Sequence, residues 1–494
     1  MLNLFQHLVT EAIMTKATLI FNARLLDETM DTPGAILVVE DSIRAIFQGY
    51  FTSQETASVL AHSVLAEDGR DNDCKLELYD AKGLTVTPSF IDMHVHMRYP
   101  GQTQKEDLQS GLHAAAAGGF GTVVAMPNTN PVVSSMEMAL QIESEAAAIG
   151  LTNLFQTVSI TKDFAGSDTS QLDEIDRHYI PVISEDGKDV VSSAVMLEGM
   201  KKAAEKGLIV SCHCEDLALG AQAKPFRQNA LNIMKAIGLS AWGTSDENYN
   251  PDEVETAAIE QIDLNLTKAN DLLRLAEDTA TARNILLAKQ AGCHIHICHA
   301  STCNVIDQIY NAKLDMQNEE LAGEGFVITA EATPHHIALA GTEEPLIRAL
   351  VNPPLRDEED REMLIEALRD GTIDVISTDH APHTMEDKAE GSPGFTGLET
   401  AYAICNTVLV KQNNFTPQKL SQLMSANPAR ILGLTKGLLK SGYTADLTLV
   451  DPEEEWVVDS RMFCSKGKAT PFEGKELTGK VKGLFIAGRK VFER

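Results

Sequence analysis

Eight short apolar segments, most followed by a longer stretch of helical composition, fill the middle of this 494-residue chain. They are SFIDMHVHM (89–97), TVVAMPN (122–128), LFQTVSI (154–160), YIPVISED (179–186), LIVSCHCED (208–216), CHIHICHAS (293–301), FVITAEATPHH (326–336) and DVISTDHAPH (374–383). Strand alternating with helix predicts a parallel sheet, and eight such units predict an α/β fold of the (β/α)₈ TIM-like barrel kind over 88–436. On either side the pattern changes to short β-like pieces between turns, over 17–87 and 437–494. These two flanks are expected to pair into one small β-sandwich domain, with 1–16 as an N-terminal extension. Residues 51–75 read as a polar surface excursion.

One connection breaks the rhythm. About 75 residues separate LIVSCHCED from CHIHICHAS, far more than a helix needs. An acidic insertion is expected there, about 217–278. Its part 246–278 holds ten acidic and two basic residues and includes the amphipathic VETAAIEQIDLNLTKANDLL. The plainer expectation is a solvated helical excursion; the sharper one is a lid or interaction surface.

Charge narrows the function. Lys+Arg total 41 against 71 Asp+Glu, a formal net charge of −30, which disfavours nucleic acid and anionic membrane as partners. An anionic substrate would need a locally basic pocket. No apolar run is long enough to span a bilayer, and the first residues lack the basic start and small-residue cleavage site of a secretory leader, so a cytoplasmic location is expected. The first 13 residues are an ordered extension or precede a start at Met14. Eight cysteines without any C-x-x-C fit reduced, structural thiols.

The histidines are placed unevenly. Residues two apart on a strand share a face, so His94 and His96 both point inward at the end of the first strand. Asp186, His213, His299 and Asp379 stand at the ends of the fourth, fifth, sixth and eighth. Active sites of (β/α)₈ enzymes lie at that end of the strands. Four imidazoles and two carboxylates converging there suit one or two divalent ions, with zinc the natural guest. A water made acidic by such an ion attacks a carbonyl, and Asp379 is the candidate for moving its proton. His294, His296 and His380 are expected to support rather than ligate, and the roles of His335 and His336 stay open.

Together these motifs resemble the amidohydrolase superfamily and, within it, the class I dihydroorotases. The specific pieces are HVHMRYPG (94–101), MPNTNP (126–131), AEATPHH (330–336), NPPLR (352–356), TDHAPH (378–383) and GYTADLTLVD (442–451), in that order. The resemblance implies that His94, His96 and Asp379 bind one zinc, that His213 and His299 bind a second, and that Asp186 bridges them. It implies that Arg98, Asn128 and His383 hold a substrate α-carboxylate and that Asn352 contacts its ring. The implied reaction is the reversible cyclisation of N-carbamoyl-L-aspartate to L-dihydroorotate in pyrimidine synthesis. A homo-oligomer is implied, a dimer among the options, with aspartate carbamoyltransferase as a candidate partner. Tyr99, Glu185 and Asn130 depart from the usual pattern. The rival readings are another cyclic amidase, an allantoinase or hydantoinase, and an inactive scaffold that has lost its chemistry.

Overall fold

The computed structural model describes residues 15–69, 74–238, 256–318, 324–341 and 350–494. Its centre is built from strands buried along their whole length, which is why they read as nearly continuous apolar runs rather than alternating ones. Strands β6 (Phe90–Val95), β7 (Phe120–Ala125) and β8 (Asn153–Gln156) form one parallel sheet. Strands β9 (Val182–Ser184), β10 (Ile209–Cys212), β11 (His294–Ile297), β12 (Val327–Ala332) and β13 (Val375–Ile376) form a second. Parallel bridges Val158–Ile183 and Val95–His380 link the two, so each strand neighbours the next and the last returns to the first.

Helices separate most of these strands: α2 (Leu108–Ala117) follows β6, α3 (Met136–Ile149) follows β7, and α4 (Ser193–Lys206) follows β9. Helices α5 (Leu217–Ala236) and α6 (Thr256–Ala291) follow β10, α7 (Cys303–Met316) follows β11, and α8 (Pro334–Ala338) and α9 (Glu358–Asp370) follow β12. The strands are shorter than their apolar runs. Just past their ends the backbone turns sharply, with positive φ at Arg98 (55°), Cys214 (55°), His299 (33°) and Asp379 (48°). Such residues cannot continue a ladder, so the chemistry-bearing motifs sit in loops immediately beyond it.

The two flanks join in one connected eight-stranded sheet. It comprises β1 (Thr15–Leu26), β2 (Asp31–Val39), β3 (Ser42–Gln48), β4 (Cys74–Asp80), β5 (Thr85–Pro88), β14 (Leu447–Val457), β15 (Glu476–Ile486) and β16 (Arg489–Glu493). The join is antiparallel, Leu447 opposite Pro88 through Val450 opposite Thr85. The supposed polar excursion contains helix α1 (Gln54–Glu67), whose Ala57, Ala61 and Leu65 recur every four residues and pack on Leu19, Phe21 and Leu37. Its other faces are polar, and that masked the period.

The insertion also differs from a free-standing solvated helix. Residues 246–255 lie outside the described residues, but α6 runs unbroken past 278. Ile262 and Leu266 pack on Ala230 and Met234 of α5, and Ala269 and Leu273 pack on Ala223. Further along, Glu277 is buried and takes hydrogen bonds from Ser301 N (2.8 Å) and Arg356 Nη2 (2.8 Å). Arg356, the last residue of NPPLR, is itself buried. Glu277→Ala should therefore cost about 3–5 kcal/mol in denaturant unfolding, because it strands a buried guanidinium. A stability unchanged by that substitution would mean that α6 is dispensable to the fold.

Candidate active site

The loops beyond the strands bring every metal-ligand candidate to one place. Ligand atoms of His94, His96 and Asp379 lie within 4.8 Å of one another, as do those of Asp186, His213 and His299. The two groups touch: Asp186 is 3.3 Å from His94 Nε2, 3.5 Å from His96 Nε2 and 3.3 Å from His213 Nδ1. All six side chains are buried or nearly so.

The hydrogen bonds leave lone pairs pointing inward. His94 Nδ1 donates to Glu331 Oε1 (2.7 Å) and His96 Nδ1 to Asn128 Oδ1 (2.9 Å), which turns each Nε2 toward the cluster. His94 Nε2, Asp186 Oδ1 and His299 Nδ1 are buried with no hydrogen-bond partner. His213 Nδ1 and His299 Nε2 face each other at 2.9 Å. Glu215 Oε2 lies 3.5 Å from His213 Nε2 and favours a proton there, which leaves Nδ1 as the ligand atom. A ligand imidazole oriented by a carboxylate or amide on its other nitrogen is the usual arrangement around a metal. The donor set of imidazoles and carboxylates fits divalent cations, zinc among them.

Electrostatics agree. Burial works against the charge on Asp379, but the His96 hydrogen bond and the neighbouring His94 bring its pKa down to about 2. Asp186 is likewise held well below the usual carboxylate range, its burial outweighed by His94 and His213. Burial and the nearby His213 and His94 push His299 down to about 3, so its ring is a neutral lone-pair donor. His94 and His213 go the other way: burial opposes their charge, but Asp186, with Glu331 at His94 and Glu215 at His213, raises both well above the usual imidazole range, so the cluster draws positive charge that a cation would supply in place of protons.

The same cavity, of about 240 Å³, is lined by His96, Arg98, Asn128, Asp186, His213, His299, Asn352, Asp379 and His383. Arg98 donates to Pro382 O (3.1 Å) and sits 3.1 Å from His383 Nε2. Among the described residues no carboxylate comes within ion-pair distance of it, although its exposure is only 8%. Burial, followed by Arg98 and Lys388, drives His383 down to about 2. Asn352 donates Nδ2 to Glu215, and its buried Oδ1 has no partner. Three residues after Arg98, the chain must be glycine: at φ 82° the α-carbon of Gly101 lies so near Asn130 O that a β-carbon would fall 1.7 Å from it.

Several residues that sequence reasoning passed over hold the cluster in shape. Glu331, fully buried on β12, joins His94 and also lies 3.1 Å from His296 Nε2. A charge inside the apolar run FVITAEA was the available signal. Asp92, two residues before His94, takes hydrogen bonds from His94 N (3.0 Å), Thr378 N (3.1 Å) and Thr378 Oγ1 (2.6 Å). It thereby fixes the first strand to the loop that carries Asp379. The histidines left open find neighbours: His336 lies 3.1 Å from Pro353 O, and His335 packs edge-on against Phe395. His380 Nδ1 accepts from Gly397 N (3.1 Å). Tyr99 donates to Glu145 (2.6 Å), and Glu185 binds Thr161 N (2.8 Å), so neither departure from the motif enters the cluster.

Comparison with known proteins points one way. The Amidohydrolase family profile matches residues 85–491. The chain is 36% identical to a dihydroorotase of Clostridium botulinum over 477 residues, covering 96% of this chain and 99% of that protein. It is 35% identical to a dihydroorotase of Caldanaerobacter subterraneus over 455 residues, covering 90% and 95%. Among solved structures, the L-hydantoinase of Arthrobacter aurescens superposes with a TM-score of 0.73 at 23% identity, covering 96% of each chain. The dihydropyrimidinase of Brevibacillus agri superposes with a TM-score of 0.71 at 18% identity, covering 97% and 95%. At such identities the structural likeness speaks for the fold alone.

Glu331→Gln keeps the size of the side chain and removes its charge. It should weaken divalent-metal retention about 10–100-fold while leaving the near-ultraviolet circular dichroism unchanged, because His94 loses the partner that orients it. Dialysis against a graded chelator, with metal counted per chain, is the measurement; retention equal to wild type would remove Glu331 from the site.

Proposed function

The chain belongs to the amidohydrolase family, and on that premise we propose that it is a dihydroorotase, interconverting L-dihydroorotate and N-carbamoyl-L-aspartate. The observation that carries this reading is Arg98. A buried guanidinium in a hydrolytic cavity, with no carboxylate at ion-pair distance among the described residues, calls for a substrate that brings one. Dihydroorotate has that carboxylate; hydantoin and allantoin do not. The eight parallel strands, linked by the two bridges, are read as a closed (β/α)₈ barrel with the flanking sheet as its small β domain.

His94, His96 and Asp379 would hold one zinc, His213 and His299 a second, with Asp186 shared. Bound zinc supplies Lewis acidity, bringing a water toward ionisation at neutral pH and polarising a carbonyl oxygen. The protein's own groups do the rest. Arg98, with Asn128 and neutral His383 beside it, takes the α-carboxylate and so fixes the ring. Asn352 Oδ1, buried and unpaired, is placed to accept a ring N–H. In the hydrolytic direction Asp379 accepts the proton of the attacking water and delivers it to the ring nitrogen as the amide C–N bond breaks. In the reverse direction the proton path is retraced. Cys212, Cys214, Cys293, Cys298 and Cys405 are buried and form no disulfide, which suits a reducing compartment.

Turnover of dihydroorotate, hydantoin and allantoin by one metal-analysed preparation tests the assignment. Dihydroorotate should be by far the best substrate, and faster hydrolysis of hydantoin would overturn it. Asp379→Asn should lower kcat by about 10²–10⁴-fold with a smaller effect on KM; near wild-type turnover with metal bound would refute the proton role. Asp186 already offers a carboxylate to both ligand groups, and the lysine nearest to it in sequence, Lys188, is exposed and lies over the Phe164 ring. Chelator-stripped enzyme should therefore regain activity with zinc alone, equally in degassed and bicarbonate-supplemented buffer. A clear bicarbonate dependence would reveal a carbamylated lysine instead.

A further inference from the structure

Three of the six ligand candidates, Asp186, His213 and His299, form one group, and the loop that carries each is fastened to the same helix, α6. Asp216 N, shortly after His213, donates to Ala276 O (3.2 Å). Ser301 N, shortly after His299, donates to Glu277 Oε1 (2.8 Å). Asp189, one turn of chain past Asp186, lies with Oδ1 3.1 Å from Arg283 Nη2 and accepts from Asn284 Nδ2 at Oδ2 (3.1 Å).

Asn284 stands at the centre of this arrangement, at 0% exposure. Its Nδ2 donates to Asp189 Oδ2 and, over 3.6 Å, to the sulfur of Cys214, the residue after His213. Its Oδ1 accepts from Arg283 Nε (3.0 Å) and Nη2 (2.8 Å), the same guanidinium that pairs with Asp189. One amide thus uses its donors and its acceptor, and it spans the loops that deliver Asp186 and His213. Cys214 has φ 55°, a conformation that a residue with a side chain keeps only when its surroundings hold it. The other group is fastened elsewhere: Asp92 joins the His94 main chain to Thr378, beside Asp379. Among the described residues no hydrogen bond joins α6 to the loop after β6 or to the loop after β13.

We propose that Asn284 is a positioning residue for the second metal position: it holds the Asp186 and His213 loops at the spacing a cation needs, and so governs that ion rather than the one at His94, His96 and Asp379. This rests on the reading of the six ligand candidates as two metal positions. The selectivity follows from the ligands left over. If Asp186 shifts, the first position still has His94, His96 and Asp379. The second has only His213 and His299, and His213 shifts as well.

The test uses full-length, zinc-loaded enzyme as wild type, Asn284→Asp and Asn284→Leu. Asn284→Asp keeps the shape and the bonds from Arg283 but turns the donor into an acceptor facing Asp189; Asn284→Leu removes every bond. Each is cleared of aggregate by gel filtration and dialysed against a graded chelator, with zinc counted per chain. Wild type should hold two ions. In both variants one ion should stay as tight as in wild type, and the other should bind about tenfold more weakly. If Asn284→Leu fails to fold, the isosteric variant decides. Loaded with Mn²⁺ and brought to the same chelator strength, Asn284→Asp should exchange the spin-coupled electron paramagnetic resonance of a close pair for that of an isolated ion. His213→Ala assigns the lost ion: where Asn284→Asp has already released one zinc, adding it should release no more. Equal weakening of both ions, retention of both as in wild type, or release of the second zinc on adding His213→Ala would each overturn the proposal. A wild type that holds a single zinc would instead defeat the reading of two metal positions, and with it the proposal.

Discussion

Asp186 and Asp379 lie in the same buried cluster, within 3.6 Å of the same His94 nitrogen, and that crowding of negative charge organises the rest of the site. Two ionised carboxylates cannot share so dry a place without positive charge between them. The four imidazoles around them could provide it only by taking protons, and the hydrogen bonds at His94 and His96 already place a proton on the far nitrogen of each ring. A divalent cation resolves the conflict with no change in the side chains. It also gives partners to the atoms that burial leaves orphaned, His94 Nε2, Asp186 Oδ1 and His299 Nδ1.

Charge of the opposite sign is kept separate and close by. Arg98 forms part of one cavity wall, Lys105 Nζ lies 3.4 Å from His383 Nδ1 on that wall, and Arg227 donates to Val351 O (3.0 Å) next to Asn352, in a chain whose net charge is −30. An anionic substrate would be repelled by most of this surface and accepted at that wall. The division follows the proposed reaction, because the carboxylate that must be recognised and the amide that must be cleaved belong to one small ring.

The outer parts of the fold hold these groups still. At the N-terminal ends of β6–β8 the flanking sheet is bolted on through buried polar contacts. Ser89 N donates to Asp446 O (2.9 Å), Thr448 Oγ1 donates to Gly119 O (2.7 Å), and Lys436 pairs with Asp446 (2.6 Å). Near the cavity, Arg356 ties the loop after Asn352 to Glu277 on α6, so a helix begun as an insertion ends as a brace. A site that would have to place six ligand candidates around metal needs that rigidity.

Much of this was legible in the residue order. Strand–helix alternation, the His-x-His pair and the acidic or imidazole residue at the ends of four later strands announced a parallel α/β fold with its chemistry at one edge, because periodicity and residue type are local properties of a chain. The strand-end positions also named all six ligand candidates, and the family resemblance named Arg98, Asn128 and His383 for a substrate carboxylate and Asn352 for its ring. Local pattern could not show where α6 ends its excursion and becomes core, since Glu277 looks like any other acid until Arg356 meets it from 79 residues away. Nor could it show that Glu331 and Asp92 hydrogen-bond the His94 ring and main chain. Those roles are set by burial and by partners distant in sequence. Residue order determined which groups could do chemistry here; only the tertiary structure decided which buried charges were left without a partner, because desolvation and pairing exist only once the chain has folded.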